Sequence, residues 1–565
     1  MSKIKQRSFS KKTSLDLIEK GLNPIIAQLF SARGVKDLSQ TTHKIDNLIS
    51  PDLLLNSFKV GNFIADAIEN KKKITIVADY DCDGATSCAL ALMGLRSMGA
   101  VIDYVVPNRF EFGYGLTTEI VDFALKNKKP NIILTVDNGI GSVEGVLNAK
   151  KKGIDVIITD HHLPGKILPD TEFIVNPNQP NCKFPSKNLA GVGVIFYVLI
   201  ATRKILRDRN HFDISNQPKL NLLLDLVALG TITDIVKLDM NNRILVSQGL
   251  KLIRKNQGCI GIKTIFEVCN IKLSEATTQD LAFYIGPRLN AAGRLKDISL
   301  GIECLITNEY NQGISIAKEL EIINHKRKNI QKIMNFDATK IIEKQRKKTK
   351  FTISMFDPNW HEGIVGIIAS KIKEKYNKPT IIFANTKNKI LKGSGRSIPG
   401  FHIRDSIDFI SKKNPNLIKK FGGHSMAVGL SIENRYLEKF SREFEIIGKN
   451  LISQSDLKIT YETDGSLDEK HLSINLINEI NNQVWGQGFP YPSFCDEFII
   501  ISQNIIKNSH LKLKLKKKSF IFDAIWFNHS ETVISPVKII YKLDINKYNG
   551  QKKIQLIIDY VEKIL

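Results

Sequence analysis

The sequence predicts an α/β protein with a doubly wound parallel-sheet domain, a long linking helix, a second α/β region and a small C-terminal β-barrel. Three observations predict it. Short apolar runs alternate with helix-like stretches between residues 74 and 236, as buried parallel strands alternate with helices in α/β domains. Apolar residues at helical spacing fill positions 311 to 348, the mark of an amphipathic helix. Beyond residue 455 the chain breaks into short strand-like segments. A length of 565 residues accommodates three or four domains at ~100 to 200 residues each.

In chain order, residues 1–50 read as a helical N-terminal extension and 51–265 as the main α/β domain. The runs I-T-I-V-A (74–78), I-D-Y-V-V (102–106), N-I-I-L-T-V (131–136) and I-D-V-I-I-T (154–159) are its expected strands. Residues 266–348 form a helical linker, with Ile316, Leu320, Ile323, Ile330, Ile333 and Ile341 on one face and much Lys and Arg on the other. A second α/β domain follows over 349–455. It opens with F-T-I-S-M-F (351–356) and is glycine-rich at G-S-G-R-S (393–397), read as a loop, and at F-G-G-H-S-M-A-V-G (421–429). Residues 456–565 form the barrel. There L-K-L-K-L-K (511–516) places apolar residues on one face and basic residues on the other, as on a barrel that tracks a nucleic-acid backbone. The same alternation equally fits an edge strand guarded by lysines.

The basic first residues are followed by no apolar signal core, so no secretory signal is expected. The longest apolar run, G-V-G-V-I-F-Y-V-L-I-A-T (191–202), falls short of the roughly 20 residues of a membrane helix, and no membrane partner is expected. Seven scattered cysteines without a C-x-x-C pair argue against a disulfide framework or zinc ribbon and fit a reducing cytoplasm. A net charge of +24 points to a polyanionic partner. A Lys-, Asn- and Ile-rich composition of the kind an AT-biased gene encodes accounts for the charge equally well.

The chemistry concentrates where the expected strands end. V-A-D-Y-D-C-D-G (77–84) sets Asp79, Asp81 and Asp83 at alternate positions, roughly 6.5 to 7 Å apart if the chain is extended. An EF-hand calcium loop begins with the same spacing, but its twelfth position here is Leu90 and a strand precedes it. T-V-D-N-G places Asp137 after the third run, and T-D-H-H places Asp160, His161 and His162 after the fourth. L-G-T-I-T-D places Asp234 after L-L-L-D-L-V-A, itself read as a strand. Ligands of open parallel sheets bind at the carboxyl ends of strands, so these segments are expected to converge. Carboxylate with some imidazole suits Mn²⁺ or Mg²⁺, and more than four acids suggest two ions, a known solution for phosphodiester hydrolysis. Gly139, Gly141 and Gly145 come within one residue of a dinucleotide fingerprint and are read as a tight turn into a helix. No phosphate-binding G-x-x-x-x-G-K-[ST] occurs.

D-Y-D-C-D-G, V-D-N-G, T-D-H-H and G-T-I-T-D together resemble the DHH phosphoesterase superfamily. G-P-R-L-N-A-A-G-R (286–294), W-H-E-G-I-V-G-I (360–367), G-S-G-R-S and G-G-H-S-M-A-V-G resemble its bacterial single-strand-specific DNA exonucleases. The resemblance spans nearly the whole chain and implies a DHH core, a linking helix, a DHH-associated domain and an OB-like barrel. It implies 5′ to 3′ hydrolysis of single-stranded DNA to mononucleotides with two Mn²⁺ or Mg²⁺ ions, in DNA repair and recombination. It also implies a single-strand binding protein and a helicase as partners of a monomer.

By position in those motifs, the resemblance makes Asp81, Asp83, Asp137, His161 and Asp234 metal ligands, with Asp79 joining them or lying just behind. His162 would contact the scissile phosphate and Asp160 would orient a histidine. Arg109, Tyr114, Arg288, Asn290, Arg294, Ser394, Arg396 and His424 would contact the strand, held in a groove too narrow for a duplex. Cys82 replaces the family's usual Ala and is expected to face away from the acids. Two other functions fit parts of the pattern. One is a DHH phosphodiesterase of short RNAs or cyclic dinucleotides, against which the C-terminal barrel argues. The other is a non-catalytic single-strand-binding scaffold, against which the intact acids and histidines argue.

Overall fold

The computed structural model describes residues 3–106, 112–345, 350–386, 389–548 and 551–564. The chain divides into two compact units. One comprises residues 6–321 and 462–565, and the other residues 322–461 with the first few residues of the chain.

Among the described residues of the larger unit, five parallel strands form a sheet: β1 (Lys73–Ala78), β2 (Val101–Val105), β3 (Ile132–Val136), β4 (Asp155–Thr159) and β5 (Ile174–Val175). Their order is β2-β1-β3-β4-β5, with Ile76 beside Leu134 and Leu134 beside Ile157 in register. Side chains alternate between two cores, as the pleat requires. Ile74, Ile76, Leu134 and Val136 enter one with helices α1 (Cys82–Ser97), α4 (Gly191–Asp208) and α5 (Leu224–Thr233). Val77, Ile133, Val156 and Ile158 enter the other with α2 (Thr118–Lys128) and α3 (Val143–Lys151). Helices on both faces explain why the strands read as unbroken apolar runs.

Two expectations change here. The run L-L-L-D-L-V-A is a short helical turn leading into helix α5, which is buried on nearly every side, and a helix that is apolar all round has no periodicity to separate it from a strand. The D-Y-D-C-D segment is not extended, because β1 ends at Ala78 and Asp81 caps α1. Cys82 is therefore the first residue of a helix, and it is buried.

Helix α6 (Gly286–Leu295) follows, and α7 (Tyr310–Gln345) is the expected long amphipathic helix. In the N-terminal extension, helices Lys11–Glu19 and Pro24–Ser31 form. This extension packs on the segment leading into the barrel. Arg33 makes two 2.9 Å bonds to Asp464 and lies 5.0 Å over the Trp485 ring, while Phe30 meets Trp485 at 6.0 Å.

The barrel is closed by strands Phe494–Ile506, His510–Lys517, Phe520–Trp526, Gln551–Lys563 and Val537–Tyr548, in that neighbour order. Leu511, Leu513 and Leu515 point inward, and Lys512, Lys514 and Lys516 point out. That strand is paired on both sides, which removes the edge-strand alternative.

In the smaller unit a five-stranded sheet runs in the order Lys420–His424, Ala427–Glu433, Ile390–Arg396, Thr380–Asn385, Ile353–Phe356. The G-S-G-R stretch, expected as a loop, is the end of a strand. A Cβ on Gly393 would lie 2.5 Å from Phe383, and one on Gly395 2.6 Å from Val428. The glycines let core side chains reach the sheet, and Ser394 and Arg396 occupy its opposite face.

Candidate metal centre

The strand order reverses between β1 and β3, the switch point where doubly wound sheets bind ligands. The acids gather there. Asp79 follows β1 and is buried. Asp81 caps α1, its Oδ1 accepting the N–H groups of Asp83 at 2.9 Å and Gly84 at 3.1 Å. Asp83, in the first turn of α1, accepts from Gly191 N at 2.6 Å and Val192 N at 3.0 Å, the start of α4. Asp137 follows β3 in the left-handed region at φ 61°, a conformation an Asp tolerates and one that clusters at functional sites. Asp160, His161 and His162 follow β4. Asp234 caps the carboxyl end of α5, so three of the four converging segments follow strands and the fourth ends a helix.

Three groups of donor atoms each lie within 4.8 Å: Asp79, Asp81 and Asp137; Asp83, His161 and Asp234; and Asp137, His161 and His162. His161 Nε2 is 3.1 Å from Asp137 Oδ1 and 3.4 Å from Asp234 Oδ2. Yet these three buried atoms have no hydrogen-bond partner among the described residues. They face one another without bonding, as ligands around a shared cation do, and so fit divalent metals.

The electrostatics agree. Burial, then the Asp81 charge, pushes the Asp83 carboxyl up to about 7 against the opposing N–H bonds. Burial and the neighbouring acids hold Asp137 and Asp234 well above the usual carboxylate range. Burial, then the His162 charge, lowers His161 to about 4, leaving a neutral imidazole, the form that ligates metal. His162 behaves oppositely. Burial lowers its pKa, but the Asp160 carboxylate, 2.7 Å from Nδ1, outweighs that and raises it to about 9. Asp160 also accepts the backbone N–H groups of His161, His162 and Ile140 at 2.7, 3.1 and 2.9 Å, and so holds the whole turn.

Family models match along the chain: the DHH family N-terminal domain over residues 73–231, the DHHA1 domain over 348–449 and the RecJ OB domain over 463–560. The single-stranded-DNA-specific exonuclease RecJ of Haemophilus influenzae is 41% identical over 556 residues, covering 96% of each chain. The chain belongs to the RecJ family. A crystal structure of RecJ with Mn²⁺ from Thermus thermophilus matches with a TM-score of 0.83 at 23% identity, covering 100% of this chain and 79% of that one. A structure of exonuclease RecJ bound to manganese matches at 28% identity and TM-score 0.60, covering 72% of this chain and 98% of that one.

The remaining residues named from the RecJ-type motifs divide. Arg109 lies outside the described residues. Tyr114 is exposed beside the histidine turn, its hydroxyl 3.3 Å from His162 Nε2. Arg288 is buried and paired with Glu321 at 2.5 Å, which engages it within the fold rather than presenting it to a strand. Asn290 Oδ1 accepts the Cys82 N–H at 2.9 Å, so it supports the metal loop. Arg294 is half-buried on the same helix, next to Gly293, whose Cβ position is 2.0 Å from the Tyr80 carbonyl oxygen. The stretch G-P-R-L-N-A-A-G-R thus packs helix α6 onto the aspartate loop.

In the smaller unit, Arg396 bonds Ser394 Oγ at 3.2 Å and the Gly395 carbonyl at 2.8 Å. Burial lowers its pKa, and no carboxylate lies within ion-pair distance among the described residues. His424 ends the edge strand two places away in the sheet, exposed, with Nδ1 3.4 Å from the Met426 N–H.

Sequence reasoning missed Asn176 and Asn178, whose side-chain amides bond the carbonyls of His162 at 3.0 Å and His161 at 2.6 Å. The signal was I-V-N-P-N, a strand of two residues too short to read. It also missed the spacing glycines. A Cβ on Gly191 would lie 2.5 Å from Asp137 Cβ, and one on Gly230 2.8 Å from Asp83 Oδ1.

Proposed function

We propose that this chain is a single-stranded-DNA-specific exonuclease that hydrolyses phosphodiester bonds with two divalent cations, Mn²⁺ or Mg²⁺. The observation that carries the reading is the set of buried, mutually facing and unbonded donors Asp137 Oδ1, His161 Nε2 and Asp234 Oδ2 at the switch point. Asp79, Asp81, Asp83, Asp137, Asp234 and His161 would hold the ions. Such a pair supplies Lewis-acid activation of water and neutralises charge developing on the phosphate.

The chain's own residues do the rest. His162, kept protonated by Asp160, donates to a phosphate oxygen from an exposed position. Tyr114 stands beside it to meet the strand. Arg396 and Ser394 take a second phosphate. A Cβ on Gly366, at the start of helix Val365–Tyr376, would lie 3.0 Å from Ser394 Oγ and 3.4 Å from Arg396, so a helix N-terminus reinforces their preference for an anion. Residues 51–265 carry the metals, 349–455 the phosphate-binding arginine and 456–565 a basic barrel surface that adds affinity. Polarity is 5′ to 3′ with release of mononucleotides, in DNA repair and recombination. A single-strand binding protein and a helicase are the proposed protein partners of a monomer. Seven free cysteines suit a reducing cytoplasm, and among the described residues no helix is long and apolar enough to cross a membrane.

Digestion of a single strand labelled at either end, with Mn²⁺, Mg²⁺ or chelator, tests substrate, polarity and metal together. The expected result is metal-dependent release of mononucleotide from the 5′ label. Turnover of a dinucleotide with none of the long strand would favour the short-RNA phosphodiesterase reading instead.

A further inference from the structure

The segment W-G-Q-G-F, Trp485–Phe489, precedes the first barrel strand and lies against the back of the metal centre. Asp234 is followed by Ile235, a β-branched residue at φ 61°. That conformation is a strained outlier for such a side chain and persists only where the surroundings impose it. The surroundings are visible. Downstream of Ile235, the Leu238 N–H donates to the Gln487 carbonyl at 2.8 Å, and the Lys237 carbonyl accepts from the Asn242 amide at 2.9 Å. Ile232 upstream and Leu238 downstream are both buried, and both lie under Gly486. A Cβ there would lie 2.7 Å from Leu238 and 3.8 Å from Ile232. Gly488, at φ +71°, sits over Lys237, with a Cβ position 2.5 Å from its Cγ.

The segment is itself rigidly backed. Gly486 and Phe489 exchange backbone hydrogen bonds of 2.9 and 3.1 Å. Trp485 and Phe489 stack at 5.4 Å. Arg33 of the N-terminal extension covers Trp485, and Arg243 lies 4.2 Å over Phe489.

We infer that Trp485–Phe489 is a positioning element for Asp234, so that the barrel domain, clamped by the N-terminal extension, is part of the framework of the metal centre. The chain between Asp234 and Leu238 leaves the end of α5 at one end and is held at the other, at Lys237 and Leu238, by this glycine-bearing turn. The carboxylate that caps α5 is held where it meets His161 because the turn leaves Ile235 no relaxed alternative. The two glycines are required by close approach, and Trp485 and Phe489 supply the stiffness. The inference rests on the reading of Asp234 as a metal ligand.

The test is Mn²⁺ binding by the full-length, metal-free protein, followed by calorimetry, with hydrolysis of a p-nitrophenyl phosphodiester as a reporter too short to engage the barrel surface. Asp234→Ala tests the underlying reading, and unchanged Mn²⁺ binding there would remove it. Gly486→Val tests the inference. It is expected to weaken Mn²⁺ binding about tenfold, the lower end of what loss of a ligand's support costs, while circular dichroism stays at the parent value and hydrolysis recovers at high Mn²⁺. If Gly486→Val does not fold, Leu238→Ala decides by the same criterion, since it empties the contact and adds no atoms. Parent Mn²⁺ affinity in the folded variant, alongside weakened binding in Asp234→Ala, would overturn the positioning role and leave the metal reading standing.

Discussion

Replacing Gly293 by alanine should separate the architecture of the metal loop from its ligands. The added Cβ would lie 2.0 Å from the Tyr80 carbonyl oxygen. An unstrained carbon to oxygen contact is about 3.3 Å, so helix α6 and the loop must part by about 1.3 Å along that line. Both colliding groups belong to backbone, and no rotamer change relieves the clash. The same movement pulls Asn290 from the Cys82 N–H, a 2.9 Å bond at the first residue of α1, and shifts Asp81 and Asp83 with it. A misplacement of about 1 Å at reacting groups costs on the order of 100-fold in rate, or ~2.7 kcal/mol of activation free energy. Overpacking destabilises by about 1 to 3 kcal/mol, and alanine recovers about 1 kcal/mol over glycine within a helix, so the variant should fold. The assay is kcat on a 5′-labelled single strand at saturating Mn²⁺, with a thermal melt of the same preparation. Parent turnover in folded Gly293→Ala would refute the claim that α6 sets the loop.

Other perturbations address the charges. In metal-free protein Asp83, Asp137 and Asp234 have raised pKa values, so the folded state holds protons that the unfolded state has already lost. Stability must therefore fall as pH rises from about 4 through neutrality. Melts in chelator should show that decline, and a fixed Mn²⁺ concentration about 100 times the Kd at pH 8 should add ~2.7 kcal/mol there and less at pH 5, where protons compete for the carboxylates. Asp160→Asn removes the carboxylate that raises His162 to about 9, so the alkaline loss of activity should move toward the ordinary histidine value near pH 6.5; an unmoved pH profile would contradict the role of His162 as a charged donor. Alanine at Lys512, Lys514 and Lys516 should raise KM for long strands and leave a dinucleotide unaffected. Each lost phosphate contact should reduce the salt slope by about 0.7, and an unaltered slope would show that this face of the barrel carries no DNA.

Four strands of the main sheet were legible because predominantly apolar runs of five or six residues, three of them closed by acids, leave few alternatives. The barrel face was legible because period-two alternation in L-K-L-K-L-K maps directly onto an inside and an outside. Helix α5 was not, since burial on all sides erases helical period, and G-S-G-R was not, since glycines that let a sheet pack closely resemble glycines of a loop. Arg288 and Asn290 were legible as important but not in their work. Arg288 meets Glu321 and Asn290 meets Cys82, partners 33 and 208 positions away, and no local pattern encodes such distances.

By itself the sequence determined the chemistry of this protein: six acids and two histidines in four motifs, their order, and a charge suited to a polyanion. Those follow from residue type and short spacing, which are properties of the chain alone. Tertiary structure decided which atoms meet. It turned the extended row of Asp79, Asp81 and Asp83 into a cap and first turn of α1, left His161 neutral while charging His162, and made α6 and the Trp485 turn supports of the site. Those outcomes depend on burial and on close contacts between segments distant in sequence, and only the folded chain creates them.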